Sequence, residues 1–400
     1  MRALIFLALL AAASPAAAQP KPRARDLGIP QAGTPGPLNA ITDVAGVEVG
    51  LTTLIRGAGI LIPGQGPVRT GVTAILPRGR NDDRSVFAAW FSLNGNGEMT
   101  GTTWVEESGI LGGPVMITNT HSVGAVHAAT VEYAVGKGQD FTWSLPVVAE
   151  TWDGPLNDIN GFHVTREHAA AALAGARSGP VPEGNVGGGT GMTCHYFKGG
   201  TGTSSRRITV SGRPYTLGVL VQCNYGGRSR FSVAGVPVGE EIRDLLPCYA
   251  PLSDGSTAGR PACSASSGGG PGADADLGSI IVVLATDAPL LPHQLKRIAR
   301  RASLGIGRMG GIGGNSSGDI FLAFSTANPN AAADTGVVAL AAIPNESINP
   351  LFEAAIDATS EAILNAMLAA ETMTGANGYT VHALPHNRLV AALRKYGRIK

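Results

Sequence analysis

Apolar runs of strand length recur along the chain, separated by polar and glycine-rich breaks. They lie at residues 41–50, 71–76, 114–118, 147–149, 216–222, 280–285, 320–324 and 336–340. The first alternates partly between apolar and polar positions, whereas several others are apolar throughout. A strand that is apolar on both faces is one that is covered on both faces. Helical spacing marks three further segments. Residues 123–135 are alanine-rich, and residues 291–304 carry Pro292 in the first turn. The third runs from Asn349, read as the cap before Pro350, to Met373, with Gly375 beyond it. Strands and helices interleave without a regular βαβ beat. That predicts stacked sheets with helices outside them, rather than a doubly wound sheet.

Composition fits a buried, turn-rich globular protein. The 400 residues include 56 glycines, 44% are hydrophobic and only 15% are charged, which excludes a disordered chain. Length alone suggests two or three domains, although a large layered fold can hold this much chain around one core. Residues 1–18 read as a signal peptide, with Arg2 as the positive end, an apolar stretch over 3–13 and a small-residue cleavage site at 16–18. The stretch is too short to span a bilayer, and no later segment is long and apolar enough. Loss of Arg2 with the leader takes the formal net charge from +1 to 0, and no basic patch suggests nucleic acid. The expected location is the periplasm or the exterior.

Four cysteines suit an exported protein. Cys248 and Cys263 flank a loop rich in proline, glycine and serine, which a disulfide would staple. Cys194 and Cys223 lie in apolar surroundings and either pair across neighbouring strands or stay as buried thiols. Neither C-x-x-C nor H-E-x-x-H occurs, so no metal site is expected.

The sharpest break in the pattern falls at Gly278-Ser279. Residues 264–277 are small and polar, and a buried strand begins immediately afterwards. Cleavage there would give Ser279 a free α-amine beside its own hydroxyl, so that nucleophile and base share one residue. On local composition alone, Ser279 reads first as an ordinary serine at the start of a strand. Other clusters carry polar groups at strand ends. They are residues 150–160, with Glu150 beside Trp152; residues 221–226, with Asn224; and residues 313–319, with Ser317 and Asp319. Each alone also reads as a solvated loop or turn. The glycines at 184–192 are not followed by Lys-Ser/Thr, and Gly305, Gly307 and Gly310 follow a helix rather than a strand, so neither reads as a nucleotide loop.

Taken in order, these segments resemble the DmpA-type family, the self-processing serine hydrolases that include L-aminopeptidase/D-esterases and β-aminopeptidases. The likeness runs through residues 23–30, 36–44, 147–164, 184–192, 221–226, 285–294 and 315–328, nearly the whole mature chain. It implies an α/β (α+β) fold, a four-layer αββα sandwich like that of the ornithine acetyltransferases. Such a fold is similar to the N-terminal-nucleophile hydrolases but differently connected. It implies cleavage after Gly278, giving an α subunit of residues 19–278 and a β subunit of residues 279–400, with Ser279 as the nucleophile. It further implies Asn224 in the oxyanion hole, Glu150 on the substrate's amino group, and Ser317 and Asp319 positioning the new α-amine. No cofactor is implied. Members are αβ heterodimers that assemble further, commonly as tetramers of heterodimers.

Three departures stand out. Trp152 replaces an expected Tyr, Asp319 stands where some relatives have Glu, and the segment holding Cys248 and Cys263 is longer. The expected activity is hydrolysis of N-terminal amino acid amides, peptides or esters of L-α-, D- or β-type. An acyltransferase like ornithine acetyltransferase would use Thr, and a non-catalytic exported binding protein would not need Ser279, Asn224, Glu150 and Ser317 together.

Overall fold

The computed structural model describes residues 21–137, 143–257, 259–263, 276 and 278–400. The expected leader and most of the segment before Gly278 lie outside these residues. In chain order the strands are β1 (Glu48–Arg56), β2 (Val68–Leu76), β3 (Val86–Gly95), β4 (Ile110–Leu111), β5 (Val115–Asn119), β6 (Val147–Thr151), β7 (Thr193–Cys194) and β8 (Phe197–Lys198). They continue with β9 (Gly200–Val210), β10 (Arg213–Asn224), β11 (Cys248–Tyr249), β12 (Ser279–Thr286), β13 (Gly318–Ser325), β14 (Met373–Thr374) and β15 (Tyr379–Val381). The helices are α1 (Thr102–Ser108), α2 (Val123–Gly136), α3 (Arg166–Ala174), α4 (Val238–Glu241), α5 (Pro292–Arg308), α6 (Asn349–Ala369) and α7 (His386–Lys395).

Two sheets dominate, one ordered β1-β2-β5-β6 and the other β4-β3-β13-β12-β10-β9. Successive side chains along a strand face opposite ways, so a strand covered on both faces can be apolar along most of its length, as β12 is. Along β12, Ile280, Val282 and Leu284 face a core shared with Leu295 and Ile298 of α5 and Ala355 and Met367 of α6. Ile281, Val283 and Ala285 point the other way, against Val115 and Ile117 of β5 and Val147 and Ala149 of β6. Behind the four-stranded sheet, Val72, Met116 and Val148 meet Val126 of α2 and Leu173 of α3. The layers therefore run helix, sheet, sheet, helix, as the αββα expectation has it. Each fully buried Val, Leu or Ile in these layers contributes about 1.5–3 kcal/mol relative to exposure.

Helix α5 starts at Pro292, and the Gln294 side chain accepts the Leu291 N–H at 3.0 Å. Asn349 does not cap α6; it sits inside the first turn, with Ile348 as the flanking residue, and the helix stops at Ala369 rather than Met373. The expected strand at 336–340 does not form. That run is solvent-exposed and makes no ladder, so its apolar residues lack the sheet that would bury them. Within residues 41–50, a 3-10 turn over Ile41–Asp43 precedes β1, which begins only at Glu48. Strand β9 escapes any hydrophobic reading because it is small and polar. Its Ser204 Oγ donates to the Ala358 carbonyl of α6 at 2.6 Å, and Arg206 pairs with Glu361 at 2.7 Å. The segment with Cys248 and Cys263 is tied into the fold, since β11 pairs with β15 and the two cysteines are bonded.

Candidate active site

Sheet topology gathers one end of four strands. Strands β12 and β13 run parallel, while β10 and β3 run antiparallel to them. The starts of β12 and β13 therefore meet the ends of β10 and β3. This brings Ser279, Asp319, Asn224 and Asn94 to one rim of the six-stranded sheet. Asn224 lies directly opposite Ser279, and Asp319 opposite Ile280.

Ser279 is buried at 6% exposure, and its Oγ accepts the Gly318 backbone N–H at 3.0 Å. Gly278 before it has φ +96°, a conformation that disfavours any side chain, and a Cβ there would lie 2.0 Å from the Asn224 carbonyl oxygen. Both conditions select glycine at this position. The Asn224 amide has a fixed orientation. Its Oδ1 accepts the Thr193 N–H at 2.8 Å, which turns Nδ2 to donate to the Trp152 carbonyl at 3.0 Å. An amide nitrogen carries two N–H groups, so a second donor remains. The Cys194–Cys223 disulfide joins the residues next to Thr193 and Asn224.

Just before β13, Ser317 Oγ donates to Asp319 Oδ1 at 2.5 Å. Asp319 Oδ2 is buried and has no hydrogen-bond partner. Burial pushes the Asp319 carboxyl up to about 6, and the negative charge of Asp276 adds to that. The Tyr225 hydroxyl and Asp276 Oδ1 are likewise buried without partners. Burial, then Asp319 and Asp276, raise the Tyr225 hydroxyl far above its usual range.

Glu150 comes from the other sheet. It lies within β6 rather than after it, opposite Thr118 of β5. Its Oε1 accepts the Glu98 N–H at 2.9 Å, and its Oε2 accepts the Thr120 hydroxyl. Burial raises its pKa, opposed by those two hydrogen bonds. A Cβ on Gly97 would lie 3.2 Å from Glu150 Oε1 and 3.1 Å from the Gly318 Cα. Only the bare backbone of Gly97 thus separates this carboxylate from the peptide that binds Ser279 Oγ. The Trp152 ring is half exposed above Gly154, with its indole carbons about where a Gly154 side chain would go.

The structure therefore brings Ser279, Gly278, Asn224, Ser317, Asp319 and Glu150 together, with Trp152 at their edge. Cys248 and Cys263 are elsewhere, beside His382. These three are the single His/Cys/carboxylate cluster of metal-binding dimensions among the described residues, and the disulfide consumes both thiols. Sequence reasoning did not single out Thr120, Thr193, Asn94 or Asp276. Their contacts join segments far apart in the chain, which no local motif encodes.

The profile of peptidase family S58 matches residues 39–381. The beta-peptidyl aminopeptidase BapA of Sphingosinicella microcystinivorans is 57% identical over 385 residues, covering 96% of this chain and 95% of the relative. The beta-peptidyl aminopeptidase BapA of Sphingosinicella xenopeptidilytica is 47% identical over 398 residues, covering 98% and 95% respectively. Among solved structures, the L-aminopeptidase D-Ala-esterase/amidase from Ochrobactrum anthropi, described as a variant of the Ntn hydrolase fold, superposes with a TM-score of 0.83 at 49% identity. That superposition covers 95% of this chain and 100% of the other.

Proposed function

The chain belongs to peptidase family S58 and is an aminopeptidase, and on that premise we propose that it cuts itself between Gly278 and Ser279 and then uses Ser279 as an N-terminal nucleophile. The observation that carries this reading is the setting of Ser279. Its hydroxyl is held by the Gly318 N–H, beside an Asn224 amide with a donor to spare and a buried Asp319 oxygen without a donor.

In the uncut chain, Ser279 Oγ adds to the Gly278 carbonyl carbon and the C–N bond breaks. The hydroxyl proton passes to the departing nitrogen, leaving an ester and a free α-amine. Water then opens the ester, giving the Gly278 carboxylate and restoring the hydroxyl. The new α-amine has an ordinary pKa of about 7.7–8.0, suited to take the Oγ proton when a substrate carbonyl arrives. An acyl-enzyme forms, and water releases it. The spare Asn224 N–H stabilises the oxyanion. Asp319, oriented by Ser317, accepts a hydrogen bond from the α-amine.

Glu150 holds the substrate's ammonium group. Its two oxygens each accept one hydrogen bond inside the protein, and a carboxylate has further lone pairs to offer. Trp152 lines the mouth. The names of the two Sphingosinicella relatives favour peptides with an N-terminal β-amino acid as substrates. Residues 1–18 direct export. Residues 19–278 and 279–400 stay together after cleavage as α and β subunits, because β10 and β12 are adjacent strands of one sheet, and heterodimers of this kind assemble into tetramers.

The test compares p-nitroanilides of β-, L-α- and D-amino acids, free and N-acetylated, with wild type and Ser279→Ala. Turnover confined to free amines, abolished in Ser279→Ala, is expected. Turnover of acetylated substrates at the same rate, or an active Ser279→Ala, would overturn the reading.

A further inference from the structure

Asp276 lies two residues before the Gly278-Ser279 bond and has no part in the chemistry above. It is nevertheless buried, at 9% exposure. Its Oδ2 accepts two backbone N–H groups, from Ile312 at 3.0 Å and from Gly314 at 3.2 Å. Its main chain is pressed onto the same turn, since a Cβ on Gly314 would come within 2.6 Å of the Asp276 carbonyl oxygen. That turn leads into Ser317 and Asp319. It is also held from the opposite side: Asn94 Nδ2 donates to the Gly314 carbonyl at 2.6 Å, and Asn96 Nδ2 to the Ser316 carbonyl at 2.8 Å. The scissile segment is thus gripped at two points, Asp276 on the turn and Gly278 against the Asn224 carbonyl.

Holding Asp276 there carries a cost. Asp276 Oδ1, Asp319 Oδ2 and the Tyr225 hydroxyl are all buried without partners, and the two carboxylates repel each other. An arrangement that loses stability locally and still persists is typical of a functional constraint.

We propose that Asp276 is a positioning residue for self-cleavage, a latch whose carboxylate seats on the Ile312 and Gly314 N–H groups and so fixes the Gly278 carbonyl for attack by Ser279 Oγ. The proposal rests on the self-cleavage reading and adds a residue to it. Near-attack geometry is sensitive to small displacements, so loss of the latch slows the cut without removing any reacting group.

The test follows conversion of the freshly translated full chain into two bands on a denaturing gel, for wild type, Asp276→Ala, Asp276→Asn and Gly314→Ala. Asp276→Ala should cut ~10–100-fold more slowly than wild type. Asp276→Asn keeps an oxygen that accepts both N–H groups, and should stay within about threefold. Gly314→Ala, which crowds the Asp276 carbonyl, should slow the cut. The rescue by Asn separates positioning from misfolding. Cleavage of Asp276→Ala at the wild-type rate, or equal slowing in Ala and Asn, would overturn the latch while leaving self-cleavage standing. A wild-type chain that never cuts would instead overturn self-cleavage itself.

Discussion

Asn224 and Ser279 are cross-strand partners on the final rung of the β10–β12 ladder. The ladder puts the Asn224 amide beside the bond that Ser279 would attack, and Thr193 fixes which end of the amide faces it. Asn224→Ala should lower kcat by about 10²–10³ with little change in KM, because the lost donor acts on the oxyanion and not on the bound substrate. Steady-state kinetics on a β-amino acid p-nitroanilide check this. A loss confined to KM would remove Asn224 from the oxyanion role.

Gly278→Ala combines two obstacles: φ is +96°, and the new methyl would lie 2.0 Å from the Asn224 carbonyl oxygen. The uncut chain should accumulate, visible as a single band where wild type gives two. Wild-type cleavage in this variant would mean that the bond is cut from another conformation.

Glu150 predicts a pH profile. If cleavage frees a Ser279 α-amine that acts as base, that amine must be neutral, and kcat/KM should fall as pH drops below about 7.7–8.0. The substrate ammonium must stay charged for Glu150, so kcat/KM should fall again once the substrate amine loses its proton. Burial raises the Glu150 pKa, which places loss of its charge on the acid side as well. In Glu150→Gln the alkaline limb set by the substrate should flatten, and free-amine substrates should lose most of their advantage over N-blocked ones. Equal losses on both kinds would argue against ammonium recognition.

Glu361 on α6 is fully buried and pairs with Arg206 at 2.7 Å and Arg25 at 2.9 Å, while Asn39 Nδ2 donates to it at 2.6 Å. It links the N-terminal segment and β9 to a helix beyond residue 278. Glu361→Ala should cost about 3–5 kcal/mol, because Arg206 is left charged and buried without its partner. Thermal unfolding measures this, and an unchanged melting temperature would mean that the network contributes no net stability.

Much of the layered architecture is legible in the sequence, because β12 over residues 280–285 and β13 over residues 320–324 are continuously apolar, as strands covered on both faces can be. Strand β9 is not legible, since its buried Ser204 and Arg206 are satisfied by α6 and carry no hydrophobic signal. Residues 336–340 mislead for the opposite reason, being apolar yet exposed. Ser279, Asn224, Glu150 and Asp319 stand out as polar residues at strand ends. Thr120 and Thr193 do not, because each acts only through a neighbour that the β5–β6 pairing or the β7 turn supplies.

The central claim is that the chain cuts itself at Gly278-Ser279 to create its nucleophile. A denaturing gel of active, purified protein, with N-terminal sequencing of each band, tests it most directly. Two bands are predicted for wild type, the smaller beginning at Ser279, against one uncut and inactive band for Ser279→Ala. A single intact band in fully active wild-type protein would contradict the account.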